Sequence, residues 1–184
     1  MHTSLKNKTT SVTGVSSGIG REIAQLLAAR GARVFGTARN PKSAQPIPSV
    51  EMVRMEVTDD SSVNEAVQAI VRKAGPIQHL VNNAGYAASG ALEETSIDEA
   101  RQQFETNFFG VLRVTNAVLP GMRQTGYGRI VNISSVVGFI PAPYMGIYAA
   151  SKHAVEGYTW TLDHEVREFG VRAELVEPAK ETLI

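Results

Sequence analysis

A tyrosine and a lysine lie one helical turn apart in the segment Tyr148-Ala-Ala-Ser-Lys152. Residues i and i+4 share one face of a helix, so the ammonium of Lys152 would lie beside the phenol of Tyr148. A free tyrosine has a pKa of about 10 and is a poor base at neutral pH, but a neighbouring positive charge favours the phenolate. The pair therefore indicates proton transfer by Tyr148, although such pairs are common by chance.

A glycine-rich stretch, Thr13-Gly-Val-Ser-Ser-Gly-Ile-Gly20, could bind a phosphate group. It joins a predicted first strand, residues 8–13, to an amphipathic helix over residues 18–30. Phosphate binding needs close backbone approach and a helix N-terminus aimed at the anion, and glycine permits both. The position and spacing predict a nucleotide site formed by Gly14, Ser16, Ser17, Gly18, Ile19 and Gly20.

The same stretch also fits the G-x-S-x-G pattern of a hydrolase, with Ser16 as the nucleophile. A hydrolase of that kind needs an acid and then a histidine later in the chain. The candidates, His153 and His164, fall inside a predicted helix rather than on a loop facing the turn. This alternative is therefore disfavoured.

The residues after the predicted second strand, 32–38, indicate which dinucleotide would bind. An NAD site usually has an acidic residue at the end of that strand, but residues 31–49 contain no Asp or Glu. Arg39 follows the strand directly, and its guanidinium could pair with a 2′-phosphate in bidentate fashion. NADP(H) is therefore expected rather than NAD(H).

Alternating strands and helices must position these groups. Six strands are predicted, at residues 8–13, 32–38, 50–57, 77–81, 129–134 and 171–176. Between them lie helices at 18–30, 60–75, 96–124 and 146–169, and Pro120 is expected to bend or end the third. This alternation predicts an α/β fold with a doubly wound parallel sheet and helices on both faces, in one domain over residues 1–184. The first strand, Lys-Thr-Thr-Ser-Val-Thr, is unusually polar for a buried parallel strand.

The ordered set of motifs resembles the short-chain dehydrogenase/reductase family, in its single-domain branch. The motifs are Thr13–Gly20 as TGxxxGIG, Asn82–Gly85 as NNAG, Asn107, Ser135, and Tyr148 with Lys152. Each motif is weak alone, but together they cover nearly the whole chain in the right order. The resemblance implies a three-layer Rossmann-type fold and hydride transfer between NADP(H) and a carbonyl or secondary alcohol.

The resemblance also implies a role for each catalytic residue. Tyr148 would be the general acid for ketone reduction and the general base for alcohol oxidation. Lys152 would lower its pKa and bind the nicotinamide ribose. Ser135 would hydrogen-bond the substrate oxygen; it is preferred to Ser134 because the family's serine lies about 13 residues before the tyrosine. Asn107 would hold a water in the proton relay.

Further residues are implied in cofactor binding: Asn83, Ala84, Gly85, Glu56, Val57 and Pro178, besides Tyr148 and Lys152 themselves. Glu56 stands where the family usually has an Asp near the adenine. Thr182 stands where a threonine that contacts the pyrophosphate is expected. Family members continue past the sixth strand with a substrate loop, a helix and a seventh strand, so this C-terminal part of the fold is expected to be missing.

The remaining wall of the substrate pocket is largely apolar and suits a hydrophobic ketone, aldehyde or alcohol. Its members would be Tyr86, Gly138, Phe139, Ile140, Pro141, Tyr144 and Met145. Two alternatives stay open: a non-catalytic NADP-binding sensor or scaffold protein, and an epimerase or dehydratase. The sensor would not need Ser135, Tyr148 and Lys152 together, and epimerases of the extended branch carry a second domain.

Composition excludes several classes of protein. The chain has 184 residues, 43% of them hydrophobic and 20% charged, with net charge zero and no cysteine. A disulfide scaffold and thiolate metal sites are excluded, and the histidines lack ligand-like spacing, so no metal is expected. The absence of a basic excess disfavours a nucleic-acid partner, and no apolar run reaches the roughly 18 residues of a membrane span. A cytoplasmic homodimer or homotetramer is expected.

Overall fold

The computed structural model describes residues 5–179. Its strands are β1 (Thr9–Thr13), β2 (Arg33–Ala38), β3 (Val50–Arg54), β4 (His79–Asn82), β5 (Gly128–Ile133) and β6 (Val171–Val176). Its helices are α1 (Gly18–Ala29), α2 (Asp60–Ala74), α3 (Ile97–Phe104), α4 (Gly110–Thr125) and α5 (Gly146–Val166), and a π-turn (Glu105–Phe109) joins α3 to α4. These elements follow the predicted alternation.

The six strands form one sheet in the order β3-β2-β1-β4-β5-β6, and every neighbouring pair is parallel. The chain runs outward from β1 to β3, then crosses back to β4 on the other side of β1. This reversal creates a crevice beyond the carboxyl ends of β1 and β4, the place where open α/β sheets bind ligands. The doubly wound Rossmann-type fold is confirmed.

Both faces of the sheet are covered. Successive strand residues point to opposite faces, so Phe35 and Leu80 enter one core while their neighbours Val34 and Val81 enter another. The first core packs against α2, α4 and α5, and the second packs against α1. A sheet with apolar residues on both faces needs helices on both sides, which gives the three layers.

The threonine hydroxyls of β1 have hydrogen-bond partners in the fold, whereas the buried Ser11 hydroxyl has none among residues 5–179. The Thr9 hydroxyl donates to the Ala74 carbonyl at 3.0 Å. The Thr13 hydroxyl accepts hydrogen bonds from the backbone N–H groups of Asn83 and Ala84, both at 2.9 Å. Buried hydroxyls are tolerated when they are hydrogen-bonded. Here they also tie β1 to the ends of α2 and β4.

A buried histidine lies at the amino end of the sheet. His79 contacts the hydroxyls of Thr10 and Tyr127, at 3.4 and 3.0 Å. Burial and, to a smaller extent, the positive charges of Lys8 and Arg129 together lower the pKa of His79 to about 4. His79 therefore stays neutral in the folded chain at mildly acidic pH.

This burial makes the fold sensitive to acid. Between the unfolded pKa of about 6.5 and the folded value, the unfolded chain binds a proton that the folded chain does not. The neutral, buried His79 contributes fully to the free energy of unfolding above this pH window. The contribution decreases as the pH falls, by about 2 kcal/mol at pH 5. Urea unfolding should show that the free energy of unfolding decreases less between pH 7 and pH 5 in His79→Gln than in wild type. The exposed His164, changed to Gln, is the control, and an unchanged loss in His79→Gln would contradict the assignment.

The third helical run differs from its prediction. Pro120, which was expected to bend or end this run, does not end it, because α4 continues to Thr125 with the proline inside it. Pro120 and Asn116, whose carbonyl loses its partner, are both exposed, so water can satisfy that carbonyl. The irregular part lies instead at the π-turn. No helix within residues 5–179 combines the length and apolar character needed to cross a membrane.

Candidate active site

A cleft of about 940 Å³ opens at the carboxyl ends of the strands. This volume lies within the range of ligand and cofactor pockets, about 300–1,000 Å³. The predicted site residues that line it are Gly14, Ser16, Ser17, Gly18, Ile19, Arg39, Glu56, Val57, Asn83, Ala84, Gly85, Ser135, Tyr148, Lys152 and Pro178. Gly20 and Asn107 lie outside the lining, and Thr182 lies outside the described residues.

The glycine-rich turn leaves the N-terminus of α1 open to the cleft. Gly14 and Gly18 have φ angles of +71° and +60°, which favour glycine. Ser17 is the N-cap of α1 but makes no side-chain capping hydrogen bond. The first N–H groups of the helix are therefore available to an anion, whose charge the helix dipole would also stabilise.

The end of β4 holds this turn in place. The Asn83 side-chain amide donates to the carbonyls of Thr13 and Gly14, at 2.9 and 3.0 Å. A Cβ atom at Gly20 would collide with the Asn83 side chain, and one at Gly14 would lie 2.8 Å from the Cα of Ala84. Gly20 thus serves close packing behind the cleft, whereas Asn83 fixes the shape of the turn.

One arginine and one glutamate line the cleft just after β2 and β3. Arg39 follows β2 and is exposed, and no hydrogen bond or ion pair joins it to another described residue. Glu56 lies nearby, and its carboxylate accepts a 3.4 Å hydrogen bond from the Thr58 N–H. The rim therefore offers an unpaired guanidinium to a ligand.

Helix α5 presents Tyr148 and Lys152 to the cleft, as the sequence predicts. The Lys152 ammonium lies 5.7 Å from the centre of the Tyr148 ring and donates a 2.7 Å hydrogen bond to the Ile133 carbonyl. Only 7% of Lys152 is exposed, and this burial lowers its pKa to about 8, an effect that Glu156 opposes. The ammonium is therefore largely charged at neutral pH.

Two adjacent serines follow β5, and both line the cleft. The Ser135 hydroxyl accepts a weak 3.4 Å hydrogen bond from the Val137 N–H. The Ser134 hydroxyl is buried without a hydrogen-bond partner and lies beside Gly138. The choice of Ser135 as the substrate-binding serine stays a prediction.

Asn107 shapes the loop after β4 from behind. Its side chain exchanges two hydrogen bonds with the Tyr86 backbone and donates to the Ser151 hydroxyl at 3.2 Å. Gln103, which the sequence analysis missed, binds the same loop at Tyr86 and Ala88, both at 2.8 Å. Helical spacing could have identified Gln103 from the sequence, because it lies one helical turn before Asn107. A relay water at Asn107 stays a prediction.

The structure places only some of the expected substrate-wall residues in the cleft. Tyr86 and Met145 line the cleft. Phe139, Ile140 and Tyr144 are exposed outside its lining, as is Pro141, whereas Gly138 is buried. An apolar surface thus lies beside the reactive end of the cleft rather than within it.

The structure gives the hydrolase alternative no support. The His153 ring contacts the Ala149 carbonyl of its own helix at 2.9 Å, and no described hydrogen bond joins either candidate histidine to Ser16. Among residues 5–179, no group of His, Asp and Glu side chains is arranged to hold a metal ion.

Comparison with known proteins gives consistent matches. The family model described as short chain dehydrogenase matches residues 8–180. A 3-ketodihydrosphingosine reductase from Bacteroides thetaiotaomicron is 45% identical over 167 residues, which is 91% of this chain and 61% of the relative. An uncharacterized oxidoreductase from Bacillus subtilis is 39% identical, over 95% of this chain and 65% of its own length.

Solved structures share the fold. A short-chain dehydrogenase from Streptomyces avermitilis has a TM-score of 0.89 and 39% identity, over 93% of this chain and 65% of that one. A gluconate 5-dehydrogenase from Burkholderia cenocepacia, solved with NADP and tartrate, has a TM-score of 0.90 and 28% identity, over 95% and 72%. The chain thus spans less than two thirds of the length of the two sequence relatives. It belongs to the short-chain dehydrogenase/reductase family of oxidoreductases.

Proposed function

We propose that this chain carries the cofactor-binding and catalytic core of an NADP(H)-dependent oxidoreductase acting on a carbonyl or secondary alcohol. The observation that carries the proposal is the meeting of two groups of residues in one cleft. The uncapped N-terminus of α1 lies at one part of it, and Ser135, Tyr148 and Lys152 lie at another. A phosphate-binding element and a proton-transfer group in one cleft suit a dinucleotide oxidoreductase.

The residues present fit a dinucleotide. The open helix N-terminus and the positive-φ glycines suit the pyrophosphate. Asn83, Ala84 and Gly85 are expected to line the adenosine side, with Glu56 and Val57 near the adenine. Lys152 would bind the nicotinamide ribose. Arg39, unpaired at the rim, would meet a ribose 2′-phosphate, which supports NADP(H) over NAD(H). The Burkholderia gluconate 5-dehydrogenase, which shares this fold, was solved with NADP.

Reduction of a ketone puts a hydride on carbon and a proton on oxygen. When bound, the dihydronicotinamide ring supplies the hydride. The Ser135 hydroxyl would donate a hydrogen bond to the carbonyl oxygen and polarise it. The Tyr148 hydroxyl would give that oxygen its proton, and the buried ammonium of Lys152 would stabilise the phenolate left behind. Oxidation of the alcohol runs through the same groups in reverse.

We propose a hydrophobic substrate. Phe139, Ile140 and Tyr144 expose apolar side chains beside the reactive end of the cleft, and Tyr86 and Met145 line it. Burying such side chains against an apolar substrate would release water and stabilise the complex. The relative from Bacteroides, named for reduction of a keto compound, is consistent with reduction as the direction of the reaction.

Homo-oligomerisation and a cytoplasmic location are part of the proposal. The helices that carry Asn107 and Tyr148 resemble those that pair subunits in the family. Phe109 of the π-turn and Trp160 of α5 are exposed, and Trp160 is 66% exposed. Exposed aromatic side chains of this kind are enriched in protein interfaces.

A fluorescence titration tests the cofactor site. We expect this chain to bind NADPH saturably, and NADH more weakly, because only the former brings a 2′-phosphate to Arg39. A screen of apolar ketones, followed by the loss of NADPH absorbance, then tests turnover. Binding of neither dinucleotide would contradict the proposal. Tight NADPH binding without turnover of any ketone or alcohol would favour the sensor or scaffold alternative.

A further inference from the structure

A buried acid lies behind the candidate active site and has no role in the mechanism above. Glu156 is on α5, one helical turn after Lys152, and like Lys152 it is only 7% exposed. Glutamate is almost never so fully buried unless its charge has a partner. Its presence in the wall behind the cleft therefore needs a physical reason.

The Glu156 carboxylate has an oxygen atom without a hydrogen-bond partner. Oε1 of Glu156 and Oγ of Ser134 are both buried and have no hydrogen-bond partner. Gly138 separates them: a Cβ atom built there would lie 2.7 Å from Oγ of Ser134 and 3.2 Å from Oε1 of Glu156. A side chain at position 138 would crowd both oxygen atoms, so the glycine leaves them room; of the two residues, Ser134 also lines the cleft.

Lys152 lies one helical turn before Glu156 on α5, and no hydrogen bond or ion pair joins the two side chains directly. Its ammonium makes one hydrogen bond, to the Ile133 carbonyl, and lies in the same buried layer of α5. A buried ammonium is costly unless an opposite charge offsets its lost hydration. On one helix face at spacing i,i+4, Glu156 is placed to offset it.

We propose that Glu156 is a positioning residue whose buried carboxylate keeps the Lys152 side chain positively charged beside Tyr148. Glu156 acts through Lys152 and touches neither substrate nor cofactor. The importance of the Lys152 charge for catalysis rests on the proposed function, whereas the effect of Glu156 on that charge does not.

Charged groups on the neighbouring elements do not offer the same effect. Most are exposed: Asp98, Glu99 and Arg101 of α3, Arg167 and Glu168 after α5, and Arg172 and Glu174 of β6. Glu105 of the π-turn is half-buried but forms an ion pair with Arg113. Exposed charges are screened by water, and the buried carboxylate of Glu156 is not. The direction of the Lys152 pKa shift supports this role: burial lowers the pKa and the charge of Glu156 opposes the shift, with a net value of about 8.

The test measures the protonation of Lys152 directly. The chain is labelled with ¹³C at the lysine ε-carbon, and the Lys152 signal is identified by its absence in Lys152→Met. In Glu156→Gln, which keeps the shape but removes the charge, the Lys152 pKa should fall by about one unit. Its charged fraction at pH 7.5 should then fall about threefold. Glu156→Asp should restore most of the wild-type value.

The matched control is Glu165→Gln, which removes an exposed carboxylate from the same helix and should leave the Lys152 titration unchanged. If Glu156→Gln does not fold, Glu156→Met provides the same comparison without a buried unpaired amide. An unchanged Lys152 pKa in a folded Glu156 variant would overturn the inference, whatever the activity. If the wild-type chain turned over no carbonyl or alcohol substrate, the proposed function would be contradicted, but the Lys152 titration would still test the role of Glu156.

Discussion

Tyr148→Phe is expected to lower kcat/KM for carbonyl reduction about 10³-fold while NADPH binding is retained. The change removes only the hydroxyl, so the ring stays beside the Lys152 ammonium and the shape of the cleft is preserved. Without the hydroxyl, the oxygen of the reduced substrate must take its proton from water. The rate is measured by the loss of NADPH absorbance with a substrate identified in the ketone screen, and NADPH binding by fluorescence.

The matched control is Tyr127→Phe. Tyr127 contacts His79 at the amino end of the sheet and lies outside the cleft lining, so the same loss of a hydroxyl there should change kcat/KM by less than about twofold. If Tyr148→Phe turned over at a near-normal rate, Tyr148 would not be the proton donor. Loss of both turnover and NADPH binding would indicate a role in the cofactor site instead.

Arg39→Asp should weaken NADPH binding about 100-fold and change NADH binding by less than about threefold. A bidentate guanidinium–phosphate pair makes two charge-assisted hydrogen bonds of about 1.5 kcal/mol or more each, and each 1.4 kcal/mol is a tenfold change in Kd. The new carboxylate would also repel the 2′-phosphate. The dissociation constants of both dinucleotides are measured by fluorescence titration.

Lys42→Asp is the control for this charge reversal. Lys42 is exposed in the same segment after β2 but lies outside the cleft lining, so it should affect both cofactors little. Equal weakening of NADPH and NADH by Arg39→Asp would show that Arg39 does not recognise the phosphate. The preference for NADP(H) would then need another source.

The element order could be predicted because strand and helix periods are local. Residues 18–30 repeat apolar positions at helical spacing, and Ser96 with Glu99 forms the capping box that opens α3. Parallel strands linked by helices follow right-handed connections, which leaves few arrangements of the sheet. The expected site residues then fall at the carboxyl ends of the strands.

Other features depend on residues far apart in the sequence. Nothing near β1 shows that Thr13 will bind the backbone of Asn83 and Ala84. The π-turn at Glu105–Phe109 also went unpredicted. These features arise when tertiary packing overrides local propensity, which is weak at any one residue.

By itself the sequence determined the class of fold, the family, and the residues that were expected to meet at one edge of the sheet. Those follow from periodicity and from motifs whose residue types suit one chemistry. Only the tertiary structure decided the burial of Lys152 and Glu156 and the open N-terminus of α1. Burial and unpaired polar atoms depend on every element packed around a group, so no local pattern encodes them.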